Sequence, residues 1–134
     1  MKVWMWLMVA LLGTAVAACD SESAGETKPS GYTDVTAAEA KQLIDDNAGL
    51  VVIDVSPLWA DGHLPGAVNH PVGDGSLDAA IPTLDPTAMY LVYCHADAPS
   101  ILGAQKLVDA GFENVYRLEG NCSAWVGAGY AVEM

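Results

Sequence analysis

Met89-Tyr90-Leu91-Val92-Tyr93-Cys94-His95-Ala96-Asp97-Ala98-Pro99-Ser100 is the stretch that decides how this chain folds. Its first five residues form a continuous apolar run of strand length, preceded by the turn-rich Pro82-Thr83-Leu84-Asp85-Pro86. Cys94 follows the run directly. Beyond Ser100, the residues Ile101, Leu102, Gln105, Leu107 and Val108 fall at helical spacings up to Ala110, and Gly111 ends that helix as a C-cap. A strand, a tight loop and a helix N-terminus in that order expose a thiol among backbone N–H donors and at the positive end of a dipole. Such surroundings make a thiolate nucleophile. The plainer reading of Cys94 is a small buried hydrophobe, as most free cysteines are.

The flanking segments bear on that choice. Leu50-Val51-Val52-Ile53-Asp54-Val55 is rich in β-branched residues, as in a strand buried on both faces of a parallel sheet, and Asp54 places a carboxylate at its end. Thr36-Ala37-Ala38-Glu39 has the form of a capping box and predicts a helix from Ala37 to Asp46. Ala67-Val68-Asn69 predicts a short strand and Ser76 to Ile81 a short helix. Asn114-Val115-Tyr116-Arg117-Leu118 predicts a further strand, and Ala124 to Ala128 a last short helix. Strands alternating with helices through short loops imply an α/β fold, a mainly parallel central sheet with helices on both faces. Ligand sites in such sheets lie at the C-terminal ends of the strands, which is where Cys94 sits.

The first residues read differently. Lys2 supplies a minimal positive region, and Val3 to Ala18 is apolar apart from Gly13 and Thr14, shorter than the roughly 20 residues of a spanning helix. The run closes on Val16-Ala17-Ala18-Cys19, which resembles a bacterial lipobox. The resemblance implies a signal peptide over residues 1–18, cleavage before Cys19, and acylation of that cysteine and of the new amino terminus; two chains give stable anchoring where one does not. An uncleaved anchor, or an ordinary cleaved signal with Cys19 incidental, are the other readings. Asp20 resembles the signal that keeps lipoproteins in the inner membrane of some Gram-negative bacteria. Residues 19–31 lack apolar periodicity and read as a flexible tether, with the folded domain expected over 32–134. Loss of residues 1–18 removes Lys2 and no acid, which takes the formal net charge from −12 to −13. So acidic a surface repels nucleic acid and anionic headgroups, so no nucleic-acid partner is expected and the lipid makes the membrane contact.

Four segments in order resemble the rhodanese family: Asp54-Val55; Gly62-His63-Leu64-Pro65-Gly66-Ala67 with Asn69; Tyr93-Cys94 with Ser100; and Gly111 to Gly120 with Trp125. The resemblance spans roughly Tyr32 to Tyr130. It implies the rhodanese-like α/β fold and a sulfurtransferase in which Cys94 takes a sulfane sulfur from a thiosulfate- or polysulfide-type donor. Cys94 holds it as a persulfide and passes it to a thiol or cyanide-like acceptor. The loop His95, Ala96, Asp97, Ala98, Pro99 and Ser100 would supply backbone N–H donors to the persulfide anion without a metal. Ser100 takes the place of the family's loop-closing serine, with a role either in capping the helix or in holding the sulfur. Asp54 resembles the family aspartate that braces neighbouring loops.

Family members active on thiosulfate often carry an arginine before the loop serine and a glycine mid-loop, where this chain has Pro99 and Asp97. At about 4 Å and an intermediate dielectric, Asp97 would repel a dianionic donor by a few kcal/mol before screening, so a slow thiosulfate reaction is expected. The missing loop arginine also disfavours phosphatase chemistry. Cys122 follows Glu119-Gly120-Asn121 on a loop near Cys94; it is either a helix-start residue packed in the core or a resolving thiol. Asn121-Cys122-Ser123 fits a glycosylation sequon by accident. His63, His70 and His95 are too scattered for a metal site, and no cofactor is expected. His63 reads as a hydrogen-bonded structural histidine, and His95 as a neighbour that favours the Cys94 thiolate if protonated. Trp59 and Trp125 read as packing residues. The rivals to the sulfurtransferase are a catalytically silent binding or sensory module and a Cys94/Cys122 thiol oxidoreductase. The expected location is extracytoplasmic, on a membrane.

Overall fold

A computed structural model describes residues 31–134. The expected signal segment, Cys19 and the tether as far as residue 30 lie outside the described residues. Five strands form one parallel sheet: β1 (Thr33–Val35), β2 (Val51–Asp54), β3 (Val68–Asn69), β4 (Met89–Tyr93) and β5 (Asn114–Leu118), in the order β1-β5-β4-β2-β3. The helices are α1 (Ala37–Asp46), α2 (Ser76–Ala80), α3 (Asp97–Asp109) and α4 (Asn121–Gly127), with single 3-10 turns at Trp59–Asp61 and Ile81–Thr83. This is the α/β architecture expected from the alternation of strands and helices.

Strand alternation divides the core into two layers. From β4, Tyr90 and Val92 turn to one side and pack with Ile53, Leu77 of α2, and Ala104 and Leu107 of α3. Leu91 and Tyr93 turn to the other and pack with Val52, Ala40 of α1, and Trp125 of α4. Because β4 lies between β2 and β5, in register Ile53↔Val92 and Val92↔Arg117, it is covered on both faces and has no exposed edge. Its apolar sequence is what such a position requires.

Local chemistry sets the helix ends. The Thr36 hydroxyl oxygen accepts the Glu39 N–H at 3.2 Å, which caps α1. Helix α3 begins at Asp97, so four of the six residues expected to form a loop are its first turn. Pro99 does not prevent this, because the first-turn N–H groups have no partner inside a helix and proline merely lacks one. Helix α4 likewise starts at Asn121, three residues ahead of the expected Ala124. Strand β1 has no apolar run to announce it; it exists because its Thr33, Asp34 and Val35 pair with Tyr116, Arg117 and Leu118.

The approach of α3 to the sheet depends on Gly103. A Cβ there would lie 3.0 Å from Val55 Cγ1 and 3.4 Å from Val92 Cγ1, both on stiff β-branched side chains. Gly103→Val is expected to lower the unfolding free energy by about 1–3 kcal/mol through overpacking, as read from urea denaturation midpoints at unchanged slope.

Candidate active site

Cys94 stands one residue beyond β4 and three before α3, and is 2% exposed. Its side chain packs in the layer of Val55, Val92 and Ala104, beneath α3. The ladder has ended at this point, so its backbone groups need other partners. They come from the turn between β5 and α4: Asn121 Oδ1 accepts the Cys94 N–H at 3.2 Å, and the Cys122 N–H donates to the Cys94 carbonyl at 3.1 Å.

That turn has a special backbone. Gly120 has φ +78° and Asn121 φ 57°, two successive left-handed residues. Glycine and asparagine enter this region most easily. A Cβ on Gly120 would also lie 2.7 Å from the Ala124 Cβ. With Asn121 so placed, its amide bridges the site, since Nδ2 donates to Asp97 Oδ1 at 2.8 Å while Oδ1 holds Cys94.

Arg117 reaches the same point from β5. Its Nε donates to Asp34 Oδ1 at 2.7 Å, and its Nη1 donates to Asp97 Oδ1 at 3.1 Å and to Ser100 Oγ at 3.2 Å. Burial pushes the guanidinium pKa down, but the Asp34 and Asp97 carboxylates outweigh it and the net direction is up, so the charge is held. Ser100 is buried; its hydroxyl donates to the Asp97 carbonyl at 2.9 Å and accepts from Arg117, which commits it to fastening the first turn of α3.

Asp54 is fully buried at the end of β2. One of its oxygens accepts the Ser56 N–H at 2.8 Å and the other the Tyr93 hydroxyl at 3.0 Å. The same hydroxyl oxygen accepts the Leu64 N–H at 2.9 Å. Asp54 therefore ties the two ends of the connection between β2 and β3 to Tyr93 of β4, with burial pushing the Tyr93 pKa upward and the neighbouring carboxylate adding to the shift. His63 stacks on Trp59 with centroids 3.5 Å apart and places Nδ1 3.1 Å from the Trp59 carbonyl, a structural setting. Trp125 is buried and donates its indole N–H to the Ala131 carbonyl.

The remaining expected residues are not gathered around Cys94. Cys122 belongs to the opposite core layer, with Leu91, Tyr93 and Trp125, although its backbone touches that of Cys94. Among the described residues both cysteines are free thiols. His95 lines a cleft of about 430 Å³ on the α4 side with Asp61, Cys122 and Ser123. Its Nε2 is buried there without a partner. Arg117 and Asn121 also belong to this cluster: no local pattern marks Arg117, because the cation stands on the adjacent strand rather than inside the loop, and the one local signal for Asn121 is its place directly after Gly120.

Residues 36–128 match the rhodanese-like domain. The chain is 37% identical over 82 residues to the thiosulfate sulfurtransferase GlpE of Pseudomonas entomophila, covering 58% of this chain and 71% of that one. With the protein of the same name from Shewanella oneidensis it shares 31% identity over 91 residues, 68% of this chain and 81% of the relative. The solution structure of the rhodanese-like domain of the Anabaena Alr3790 protein is similar at TM-score 0.66 and 28% identity, covering 75% and 77% of the two chains.

Burial first, and the Asp54 charge second, push the Cys122 thiol pKa above its ordinary value. In a Cys94→Ala protein, iodoacetamide alkylation of Cys122, followed by mass, is expected to rise with pH about a midpoint above the usual thiol value of roughly 8.5. A midpoint at or below that value contradicts the placement of Cys122.

Proposed function

This chain belongs to the rhodanese-like domain family, and on that premise we propose that Cys94 carries sulfane sulfur from a thiosulfate- or polysulfide-type donor to a thiol acceptor. At family level the comparisons support a sulfurtransferase. The single observation that carries the finer reading is the position of Cys94, at the C-terminal end of the central strand and directly before the first turn of α3.

The Cys94 thiolate attacks the outer sulfur of the donor. A sulfur–sulfur bond forms to Cys94, the bond inside the donor breaks, and sulfite or an organic thiolate leaves with the electron pair. The resulting persulfide anion faces the start of α3, where the N–H groups of Ala96, Asp97 and Ala98 have no partner within the helix and the dipole favours negative charge. Attack of the acceptor thiolate on that outer sulfur transfers it and restores the Cys94 thiolate. Asp54 takes no part in these steps; it fixes the loops that border the site. The seating of the two thiols in opposite core layers favours transfer over a cycle between Cys94 and Cys122.

Intact-mass analysis of the reduced protein after exposure to an organic polysulfide or thiosulfate is expected to show gain of one sulfur, absent in Cys94→Ala. No gain from either donor, with the thiol free and the fold retained, favours a silent binding module instead.

We further read the chain as held on the extracytoplasmic face of a membrane through acyl chains on Cys19, a reading supported by Val16-Ala17-Ala18-Cys19. In a bacterial host, full-length protein is expected in the membrane pellet with labelled palmitate incorporated, and Cys19→Ala in the soluble fraction without label. Label and pelleting that survive Cys19→Ala overturn it.

A further inference from the structure

Arg117 is 5% exposed and directs Nη1 to Asp97 Oδ1, and Asn121 Nδ2 donates to the same oxygen. A guanidinium N–H and an amide N–H that converge on one oxygen form the kind of charge-assisted cradle that binds an oxyanion. Here the oxygen is the protein's own. The Asp97 side chain is 66% exposed while the guanidinium it meets is buried, so the carboxylate stands on the solvent side of the pair, and the Ser100 hydroxyl accepts from the same Arg117 Nη1.

The charge balance follows directly. The single positive charge of Arg117 is shared between the Asp34 and Asp97 carboxylates. A dianionic donor must displace Asp97 from Arg117 and Asn121 or approach against its charge. An organic persulfide has no sulfonate to place and carries at most one negative charge, so it need not displace Asp97 and is repelled less than a dianion.

We propose that Asp97 sets donor specificity at Cys94: by occupying the oxyanion donors of Arg117 and Asn121, it selects organic persulfides and polysulfides over dianionic thiosulfate. The inference rests on the reading of Cys94 as the sulfur carrier. With thiosulfate, the thiolate takes the outer sulfur and sulfite leaves with the bonding pair. With an organic persulfide, the thiolate takes the terminal sulfur and the organic thiolate leaves with the pair.

The test measures the rate at which Cys94 gains one sulfur, by rapid quench and intact mass, from thiosulfate and from the persulfide of 2-mercaptoethanol. Four proteins are compared: the unmutated protein, Asp97→Asn, Asp97→Ala and Glu113→Gln. Glu113 is exposed and precedes β5, at the opposite end of the sheet from Cys94, so its substitution removes an equal charge far from the site. The ratio of thiosulfate rate to persulfide rate is expected to rise by about tenfold or more in Asp97→Ala and by less in Asp97→Asn, whose amide oxygen still accepts the two hydrogen bonds. It should stay constant in Glu113→Gln, and Arg117→Gln added to Asp97→Ala should abolish the gain. An unchanged ratio in both Asp97 variants, or an equal rise in Glu113→Gln, overturns the proposal. Failure of both donors to load any of the proteins overturns the carrier reading and this inference with it.

Discussion

A buried peptide that has run out of sheet must still satisfy its N–H and C=O, and at Cys94 that requirement organises everything around it. The last residue of β4 pairs with Asp54, and one residue later no strand is available. The turn after β5 supplies the partners, a side-chain amide for the N–H and a backbone N–H for the carbonyl. To deliver both, Gly120 and Asn121 must adopt left-handed conformations in succession. The Asn121 amide then has a donor to spare, which fixes Asp97 and with it the start of α3. The placement of the thiol, the entry of the helix and the orientation of the acidic rim are thus consequences of one hydrogen-bonding demand.

A second constraint comes from the period of the strand. Side chains alternate across β4, and the sequence continues that alternation into Cys94, which places its sulfur on the α3 side. Cys122 is the second residue of α4, which packs on the other face, and its thiol is buried there. Proximity of the two backbones therefore does not bring the thiols together, and the sheet itself lies between the layers they occupy. The same geometry separates His95, which faces the α4 cleft, from the layer that holds Cys94.

Much of this was legible in the residues. Met89–Tyr93 and Asn114–Leu118 occur with the bounds their residue types indicated, and Ala37–Asp46 begins where its capping box indicated, because buried runs and helix caps are local signals. Asp54 was readable as a brace from the resemblance, and its contacts with Ser56 and Tyr93 are of that kind. The start of α3 was placed late because Asp97 and Pro99 look like loop residues, although both suit a first helical turn. Strand β1 was not seen at all, since Thr33-Asp34-Val35 has too little apolar content to be distinguished from a linker.

The sequence by itself determined the α/β alternation, the location of Cys94 at a strand end ahead of a helix, and the acidic character of the surface, because each depends on residue type and short-range period. Only the tertiary structure decided which face each thiol occupies and where the cation of the site comes from. Arg117 and Asp34 lie 83 positions apart and meet because β1 returns to pair with β5; Arg117 and Asp97, 20 apart, meet because α3 crosses back over that strand. A charge on the neighbouring strand is invisible to any local pattern, and the parallel crossover is what places it beneath the loop.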